Sequence, residues 1–354
     1  MERNKDKEGL KTGNNEMRNS QFSNFKYKIA ILYGGNSSEK VISERSSMTV
    51  EKYLPKEKYS AYRVSVSGLE WNIDMADGRR IPVNKGDFSF ICDGEKIAFD
   101  CAFIIIHGTP GEDGILQAYF DLLGVPYTTC DPFVSALTFN KYACKCYLRS
   151  MKIDMAADFL LKKNDAFDRD AIERAVAYPM FVKPNAGGSS FGVAKVCSSS
   201  GLEDAIEAAR REDGDVIIES LVEGIELSHG IYSTNRRTLE FPVTQIISKN
   251  SFFDYEAKYE GKSDEITPAP ISGELSGRVK SLTKKIVNRL GCRGLVRVDY
   301  ICSGNRLYFL EINTIPGMSE ASIVPQQILD AGFGISQTLD WLIDDSIHSK
   351  KQES

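Results

Sequence analysis

The stretch RVDYICSGNRLYFLEINTIPGMSEAS, residues 297–322, predicts a β-hairpin with a sharp exit. Two runs, 296–301 and 307–312, are apolar and partly β-branched, as strands prefer. The turn Ser303-Gly304-Asn305 separates them. The exit, 313–318, contains proline and glycine and can present backbone N–H groups to an anion. This pattern favours a ligand site at the end of the hairpin.

One face of the hairpin is predicted to be polar. Side chains alternate between the two faces of a strand. With an odd number of loop residues, one face carries Arg297, Asp299, Glu311 and Asn313. Buried charges are costly unless they are paired or bound to a cation, and such an oxygen set suits a Mg²⁺ ion that also touches phosphates. An ordinary amphipathic hairpin with a solvated polar face has the same periodicity.

Size and composition predict an ordinary soluble globular protein. The chain has 354 residues, 42% hydrophobic and 26% charged, enough for two or three domains. A net charge of −5 argues against nucleic-acid binding, and no apolar run reaches the roughly 20 residues that a membrane span needs. The polar N-terminus is unlike a signal peptide, so we expect a disordered tail over 1–26.

The cysteines and histidines predict neither a disulfide framework nor a zinc site. Eight cysteines occur without a CxxC pair, and the three histidines are widely separated. Free thiols are typical of a reducing compartment, so we expect a cytoplasmic protein.

The first third of the chain alternates between strand and helix patterns. A strand over 28–33 leads through Gly34-Gly35 to a helix over 43–54, and strands follow over 62–66 and 101–106. A helix ending at Leu123 and a strand beginning at 125–127 complete the pattern. This order predicts an open α/β (Rossmann-like) domain over 27–130, although no GxGxxG dinucleotide motif is present.

The middle of the chain predicts a helix over 131–150 and then a possible phosphate loop. A strand over 179–184 carries one lysine, Lys183, and leads into NAGGSSFGV, residues 185–193. Backbone N–H groups of such a loop can cradle phosphates. Val193 stands where a Walker A motif has lysine, so a nucleotide site here is of another type. A flexible hairpin tip is the equally supported alternative.

Further strands and a long loop follow. The strand over 216–219 continues toward Glu226, and its exposed backbone can pair with an adenine edge, although surface charge is the usual state of glutamate. The long loop 252–268 is typical of an active-site lid. A helix over 276–290 is expected to pack behind the hairpin, and a last helix over 337–343 precedes a polar tail.

Taken together, six segments in order resemble the D-alanine–D-alanine ligases, which have the ATP-grasp fold. The resemblance covers about 28–343, and its carriers are GGNSSEKVIS (34–43), HGTPGEDG (107–114), VKPNAGGSSFGV (182–193), DYEAKY (254–259), RVDY (297–300) and EINTIPGMSEAS (311–322). It implies an α/β (α+β) chain with an N-terminal substrate domain, 27–130, and two ATP-grasp subdomains, 131–218 and 219–346, between polar tails, 1–26 and 347–354.

The family implies a ligation reaction. ATP phosphorylates the carboxylate of one D-alanine, the amine of a second D-alanine attacks the acyl phosphate, and phosphate leaves. The product, D-alanyl-D-alanine, is a peptidoglycan precursor. The resemblance also implies a homodimer. Rival interpretations are another ATP-grasp ligase, such as a D-alanine–D-lactate ligase, and a non-catalytic nucleotide-binding protein on the same fold.

The resemblance assigns ATP and metal contacts by matched position. Two Mg²⁺ ions, which Mn²⁺ can replace, would be held by Asp299, Glu311 and Asn313. Phosphate oxygens would be neutralised by Lys141, Lys183 and Lys258. Adenine and ribose would be bound by Glu219 and Glu226, beside the backbone of Leu221 and Val222.

It also assigns substrate and catalytic contacts. Glu39, with His107 nearby, would hold the ammonium of the first D-alanine, and Ser322 and Ile323 would bind the carboxylate of the second. Arg297 and the Gly317 N–H would stabilise the oxyanion of the tetrahedral intermediate. Ser189, at the loop tip, would close over the phosphates, and Tyr259 would join Ser189 and Glu39 in locking the lid.

The tyrosine at position 259 also bears on the acceptor. In this family a lid tyrosine marks dipeptide formers, so Tyr259 favours an amine over the hydroxyl of D-lactate. Departures from the family pattern are Val41, Ala321 and the uncharged pair Ala186-Gly187, and they concern fine substrate contacts rather than the reaction class.

Overall fold

The computed structural model describes residues 26–75, 77–248 and 263–353. Residues 1–25 of the expected tail over 1–26, and 252–262 of the expected lid over 252–268, lie outside the described residues. The strands are β1 Tyr27–Gly34, β2 Tyr59–Ser67, β3 Glu70–Asp74, β4 Arg80–Pro82, β5 Ser89–Cys92, β6 Glu95–Ala98, β7 Cys101–Ile104, β8 Asp154–Met155, β9 Asp158–Leu161, β10 Met180–Pro184, β11 Ala194–Val196, β12 Val216–Ser220, β13 Ile225–Ser233, β14 Thr238–Ser248, β15 Ser263–Ile266, β16 Gly294–Ser303 and β17 Arg306–Asn313.

The α-helices lie between these strands and after them. They are α1 Lys40–Tyr53, α2 Ile115–Leu123, α3 Pro132–Phe139, α4 Lys141–Leu148, α5 Arg169–Ala175, α6 Leu202–Glu212, α7 Gly273–Leu290, α8 Ile323–Asp330 and α9 Ile335–Glu353. In the part of the chain that the structure describes, none of these helices is both long enough and apolar enough to cross a membrane.

The N-terminal sheet has the strand order β4-β3-β2-β1-β7. β1 runs parallel to both β2 and β7, and its central residues, 29–32, are fully buried. A central parallel strand needs cover on both faces, which explains its continuous apolar run. The predicted open α/β start is confirmed, with two hairpin strands, β3 and β4, that the sequence did not reveal.

The two remaining main sheets form the rest of the fold. One has the order β11-β10-β12-β9 and is covered by an apolar cluster that includes Ile172 of α5 and Ile206 of α6. The other has the order β15-β14-β13-β16-β17-β8. Helix α7 buries Val279 and Ile286 against it, and its Thr283 hydroxyl lies 2.9 Å from the Tyr300 hydroxyl. The helix predicted to pack behind the hairpin does so.

The hairpin of β16 and β17 brings the polar residues to one face, but not through the predicted loop. The turn between the strands has two residues, Gly304 and Asn305, which is an even number. A β-bulge supplies the extra residue instead: Tyr300 pairs with Phe309, whereas Asp299 pairs with Glu311. The bulge shifts the alternation by one, so the face is as predicted and the assumed loop length was wrong.

Several predicted elements differ from the structure. The single helix expected over 131–150 is two helices, α3 and α4. They break at Asn140, which has ψ of 100° and whose side chain accepts a hydrogen bond from Ala143 N. The strand expected at 125–127 is only an isolated bridge between Ala102 and Tyr127. Helix α8 was not predicted, and α9 continues to Glu353 through the expected polar tail.

Candidate active site

A cavity of about 550 Å³ lies between the four-stranded and the six-stranded sheet. It is called the nucleotide cavity, after the contacts expected there. Strands β10 and β12 line one side, and strands β14, β16 and β17 line the other. Its lining includes the expected nucleotide and metal contacts Lys141, Lys183, Glu219, Leu221, Val222, Glu226, Asp299 and Glu311. A cleft of this size with a few placed polar groups is typical of a small-molecule site.

A second cavity of about 480 Å³ adjoins the first. This second cavity is called the substrate cavity. Its lining includes the expected substrate and catalytic contacts Glu39, His107, Arg297, Gly317, Ser322 and Ile323, and the expected metal ligand Asn313. The two cavities share Lys141, Gly187, Gly188, Ser189 and Glu311. A group bound in one cavity can therefore reach a group bound in the other at this shared boundary.

On the polar face of the hairpin, Asp299 is buried and Arg297, Glu311 and Asn313 are partly buried. Asp299 is 4% exposed. The Arg297 guanidinium lies 2.8 Å from Asp299 Oδ2, and Ser228 donates a hydrogen bond of 2.6 Å to Asp299 Oδ1. Ser228 is directly across from Asp299 on β13, where sequence alternation alone gave no reason to single it out. The alternative of an ordinary solvated hairpin is excluded.

The donor set at this face fits a magnesium ion. Asp299 and Glu311 are cross-strand neighbours, and Asn313 Nδ2 lies 3.3 Å from Asp299 Oδ2. Among the described residues, no cluster of three or more His, Cys, Asp or Glu side chains is placed to hold a metal. Two carboxylates and an amide oxygen suit Mg²⁺, which usually takes its remaining ligands from phosphates and water.

A chain of buried charges lines the other side of the nucleotide cavity. Lys183 Nζ lies 2.6 Å from Glu219 Oε2, and Lys145 Nζ pairs with Glu219 Oε1. Burial alone would raise the pKa of Glu219, but the two lysines lower it to about 2. Burial opposes the charged form of Lys183, yet Glu219 raises its pKa. Both groups are therefore charged near neutral pH, and Glu219 is not a surface glutamate.

The loop 185–193 is held between the two cavities. Ser189 and Ser190 have φ of 50° and 60°, a region that side chains other than glycine rarely adopt. Ser189 Oγ donates a hydrogen bond to Glu39 Oε1. At Gly188 an added Cβ would lie 2.7 Å from Glu39 Oε1, so only glycine allows this approach. These contacts exclude a free hairpin tip.

The substrate cavity is closed on one side by residues near the start of α1. Glu39 is 6% exposed and immediately precedes α1. His107 is buried, and its Nε2 lies 3.5 Å from Ser46 Oγ. Burial lowers the pKa of His107, against the opposing effect of Glu39, so the imidazole is neutral near pH 7.

The exit of the hairpin forms the opposite wall. Met318 N donates to Ser46 Oγ at 3.2 Å, which ties the exit to α1. Ser322 immediately precedes α8, and its hydroxyl lies 2.7 Å from the Ser319 hydroxyl. A helix N-terminus attracts anions because its first N–H groups have no partner within the helix. This wall therefore suits a carboxylate.

The structure brings together every expected site residue that it describes, and two others lie outside the described residues. Those two are Lys258 and Tyr259, so the predicted lid contacts stay predictions. Sequence reasoning missed two buried groups near the cavities, Lys145 and Glu112. Lys145 is four residues after Lys141 and so on the same helix face, a signal that was available.

Glu112 is a buried carboxyl group with a raised pKa. It lines the substrate cavity and accepts a hydrogen bond of 2.7 Å from Gly108 N. Burial and the neighbouring Glu39 carboxylate raise its pKa well above the ordinary value. Glu112 lies in the segment HGTPGEDG, but the sequence does not single it out because it does not reveal how deeply a loop carboxylate is buried.

Two family models match most of the chain. The model described as "D-ala D-ala ligase N-terminus" matches residues 28–130, and that described as "D-ala D-ala ligase C-terminus" matches residues 148–344. A D-alanine–D-alanine ligase of Phocaeicola vulgatus is 46% identical over 320 residues, which are 90% of this chain and 99% of the relative. One of Flavobacterium johnsoniae is 46% identical over 87% of this chain and 95% of the relative.

Solved structures agree with this assignment. D-alanyl-alanine synthetase A from Vibrio cholerae superimposes with a TM-score of 0.82 at 26% identity, over 91% of this chain and 99% of that chain. The VanG D-Ala:D-Ser ligase from Enterococcus faecalis gives 0.79 at 31% identity, over 90% and 99%.

A D-alanine–D-alanine ligase from Bacillus anthracis complexed with ATP gives a TM-score of 0.74 at 26% identity, over 93% of this chain and 100% of that chain. The ATP-grasp fold expected from the six segments is confirmed. The matched residues and the two adjoining cavities lead to one conclusion: this chain belongs to the D-alanine–D-alanine ligase family.

Proposed function

We propose that this enzyme uses ATP to join two D-alanines into D-alanyl-D-alanine for peptidoglycan precursor synthesis. The observation that carries the proposal is the shared boundary of the two cavities at Lys141, Gly187–Ser189 and Glu311. A nucleotide in the first cavity would place its terminal phosphate beside a carboxylate in the second. A binding protein with one ligand has no need of this second cavity.

The first step forms an acyl phosphate. An oxygen of the first D-alanine carboxylate attacks the γ-phosphorus of ATP, the bond to the bridging oxygen breaks, and ADP leaves. Lys141 and Lys183 neutralise phosphate oxygens in this step. When bound, Mg²⁺ held by Asp299, Glu311 and Asn313 offsets phosphate charge. Glu219, Glu226 and the backbone of Leu221 and Val222 position the nucleoside.

The second step forms the peptide bond. The second D-alanine transfers one ammonium proton to solvent water, and its amine attacks the acyl carbon. Arg297 and the Gly317 N–H stabilise the resulting oxyanion. The C–O bond to phosphate then breaks, and the remaining extra amine proton leaves with the phosphate. Arg297 borders the substrate cavity beside Asp299, which supports this proposed role.

Substrate recognition follows from charge. The buried Glu39 carboxylate pairs with the ammonium of the first D-alanine near the neutral His107, while Ser322 and Ile323 at the start of α8 receive the carboxylate of the second. Ser189 closes over the phosphates through its bond to Glu39. Tyr259 and Lys258, outside the described residues, are proposed to complete the lid and the phosphate site.

The acceptor is the point at which rival activities differ. One structural relative at 31% identity is a D-Ala:D-Ser ligase, so D-serine belongs in the test beside D-lactate. Phosphate release is measured with ATP and Mg²⁺ in the presence of D-alanine alone, L-alanine alone, or D-alanine with D-serine or D-lactate. Products are identified by mass.

D-alanyl-D-alanine formed from D-alanine alone supports the proposal and the role given to Tyr259. Preferential ester or D-alanyl-D-serine product retains the ligase class and overturns the acceptor. No turnover with any mixture contradicts the proposed function.

Two further proposals concern the enzyme in the cell. We propose a homodimer, from family resemblance, which light scattering on the purified chain tests directly. We also propose a cytoplasmic location, because the reaction consumes ATP and supplies an intracellular precursor. Fractionation of cells that express the chain tests this.

A further inference from the structure

Lys145 is a buried lysine behind the nucleotide cavity. It lies one helical turn after Lys141 on α4, and its side chain is 1% exposed. It is absent from the lining of both cavities. Its ammonium pairs with Glu219 Oε1, lies 3.0 Å from Asp158 Oδ2 and donates to Ala156 O at 3.3 Å. Lysine is seldom buried so fully unless it is paired.

The sheet beneath α4 explains why a cation is needed there. Asp158 on β9 and Glu219 on β12 are directly opposite each other in register. Their side chains are 3% and 6% exposed. Like charges directly opposite on neighbouring strands destabilise a sheet, and buried carboxylates need partners. The Lys145 ammonium contacts both carboxylates and so offsets their repulsion.

Glu219 has a second cationic partner with a different exposure. Lys183 Nζ lies 2.6 Å from Glu219 Oε2, and Lys183 lines the nucleotide cavity. The two lysines thus hold opposite oxygens of one carboxylate. Lys183 lines the nucleotide cavity, whereas Lys145 does not. If Lys183 turns to phosphate, Lys145 is the one cationic partner that Glu219 keeps among the residues that the structure describes.

We propose that Lys145 is a positioning residue, which keeps the Glu219 carboxylate paired while Lys183 turns to the phosphates of a bound nucleoside triphosphate. The proposal rests on the nucleotide role proposed above for Lys183. Without Lys145, the buried Glu219 would retain Lys183 and compete with phosphate for it. Removing one partner of a buried ion pair leaves a buried charge uncompensated.

The first test compares the stability of two variants without nucleotide. In Lys183→Met, Glu219 keeps Lys145, so we expect a melting temperature close to that of the wild type. In Lys145→Met, Asp158 and Glu219 lose their shared cation, and we expect the melting temperature to fall by roughly 5 °C. Equal losses in the two variants, or no loss in Lys145→Met, overturn the proposal.

The second test measures the KM for ATP and the KM for D-alanine separately. Lys145→Met is expected to raise the KM for ATP by about tenfold or more, with little change in the KM for D-alanine. Arg149→Met is the matched control, because Arg149 Nη2 lies 2.5 Å from Asp158 Oδ1 at the exposed end of the same network. We expect it to leave both values unchanged. A rise in both KM values overturns the proposal.

The third test asks whether Lys145 acts through the charge of Glu219. In a Glu219→Gln background the carboxylate that lies 2.6 Å from Lys183 is absent, so Lys145→Met should raise the KM for ATP less than it does in the wild type. The same background lowers the stability loss, which keeps the test usable if the single variant does not fold. Equal effects in both backgrounds contradict the proposal. Absence of ligase turnover in the wild type would instead contradict the proposed function, and the stability comparison would still decide the role of Lys145.

Discussion

At the scale of single residues, Arg297 lies beside Asp299 on the polar face of the hairpin. Its Nε lies 3.0 Å from Asp299 Oδ1 and its Nη2 lies 2.8 Å from Asp299 Oδ2. This two-point contact fixes the plane of the guanidinium against the hairpin. Arg297 also lines the substrate cavity, where the oxyanion is proposed to form.

Replacing Arg297 with alanine should therefore slow the reaction more than it weakens nucleotide binding. Loss of one oxyanion donor costs about 10²- to 10³-fold in kcat, and we expect a loss of that order. The measurement is steady-state turnover beside the dissociation constant of a non-hydrolysable ATP analogue. Arg306→Ala is the control, because Arg306 is an exposed arginine on the same hairpin that pairs with Asp154. Equal losses in the two variants would make the effect structural.

The burial of His229 makes the free energy of unfolding depend on pH. His229 is fully buried on β13, and its Nε2 lies 3.0 Å from Phe241 O. Burial, with a smaller contribution from Lys280, lowers its pKa to about 3. The unfolded chain takes up a proton near pH 6.5 and the folded chain does not, so this contribution to stability is present above that pH and is lost as pH falls toward 3.

His229→Gln should flatten this dependence while keeping a hydrogen-bonding side chain. We expect the wild type to lose about 1–2 kcal/mol of unfolding free energy between pH 7 and pH 5 through this residue. Urea unfolding at both pH values measures the difference. His348→Gln is the control, since His348 is exposed on α9. An unchanged slope in His229→Gln would contradict the assignment.

At the scale of elements, the loop 185–193 is held at its first end and at its tip. Asn185 N donates to Asp215 O at 2.9 Å, and Ala186 N donates to Asp213 Oδ2 at 2.7 Å. The tip reaches Glu39 of the N-terminal part. The loop thus connects the end of α6 to the start of α1 across the substrate cavity.

Gly188→Ala should disturb this connection. The added methyl group would lie 2.7 Å from Glu39 Oε1, so the loop or the carboxylate must move. Displacements of about 1 Å at a reacting centre cost about 10²-fold, and we expect a loss of about tenfold or more in kcat/KM for D-alanine. Gly201→Ala is the control, because its Cβ would lie 3.8 Å from Val196. Unchanged kinetics in Gly188→Ala would contradict the close contact.

At the scale of the whole molecule, the C-terminal helix belongs to the core of the N-terminal sheet. Leu339 and Ile343 of α9 are fully buried in the same cluster as Ile31 of β1. Tyr59 donates a hydrogen bond of 2.5 Å to Asp340 Oδ1, and Lys58 lies 2.7 Å from the same atom. The two ends of the described chain therefore stabilise each other.

Truncation should show this dependence. A chain that ends before Ile335 loses the apolar face of α9, and we expect it to be insoluble or to lose cooperative thermal unfolding. A chain that ends after Ile347 keeps the buried residues and should unfold within a few degrees of the full chain. Calorimetry compares them. Normal unfolding of the shorter chain would contradict the packing argument.

The sequence by itself determined the open α/β start of the chain, the polar face of the hairpin and, through six ordered segments, the family and the reaction class. These features depend on local periodicity and on residue types at fixed spacing, which are read along the chain. Free thiols were also correctly expected, and all eight cysteines are free.

Only the tertiary structure decided which polar groups are buried together. The bulge between Asp299 and Tyr300, the break at Asn140 and the docking of α9 depend on partners far away in sequence. The pairing of Lys145 with Asp158 and Glu219 depends on the register of two strands beneath α4. Burial and register follow from long-range packing, and long-range packing sets the charge states and the geometry of this site.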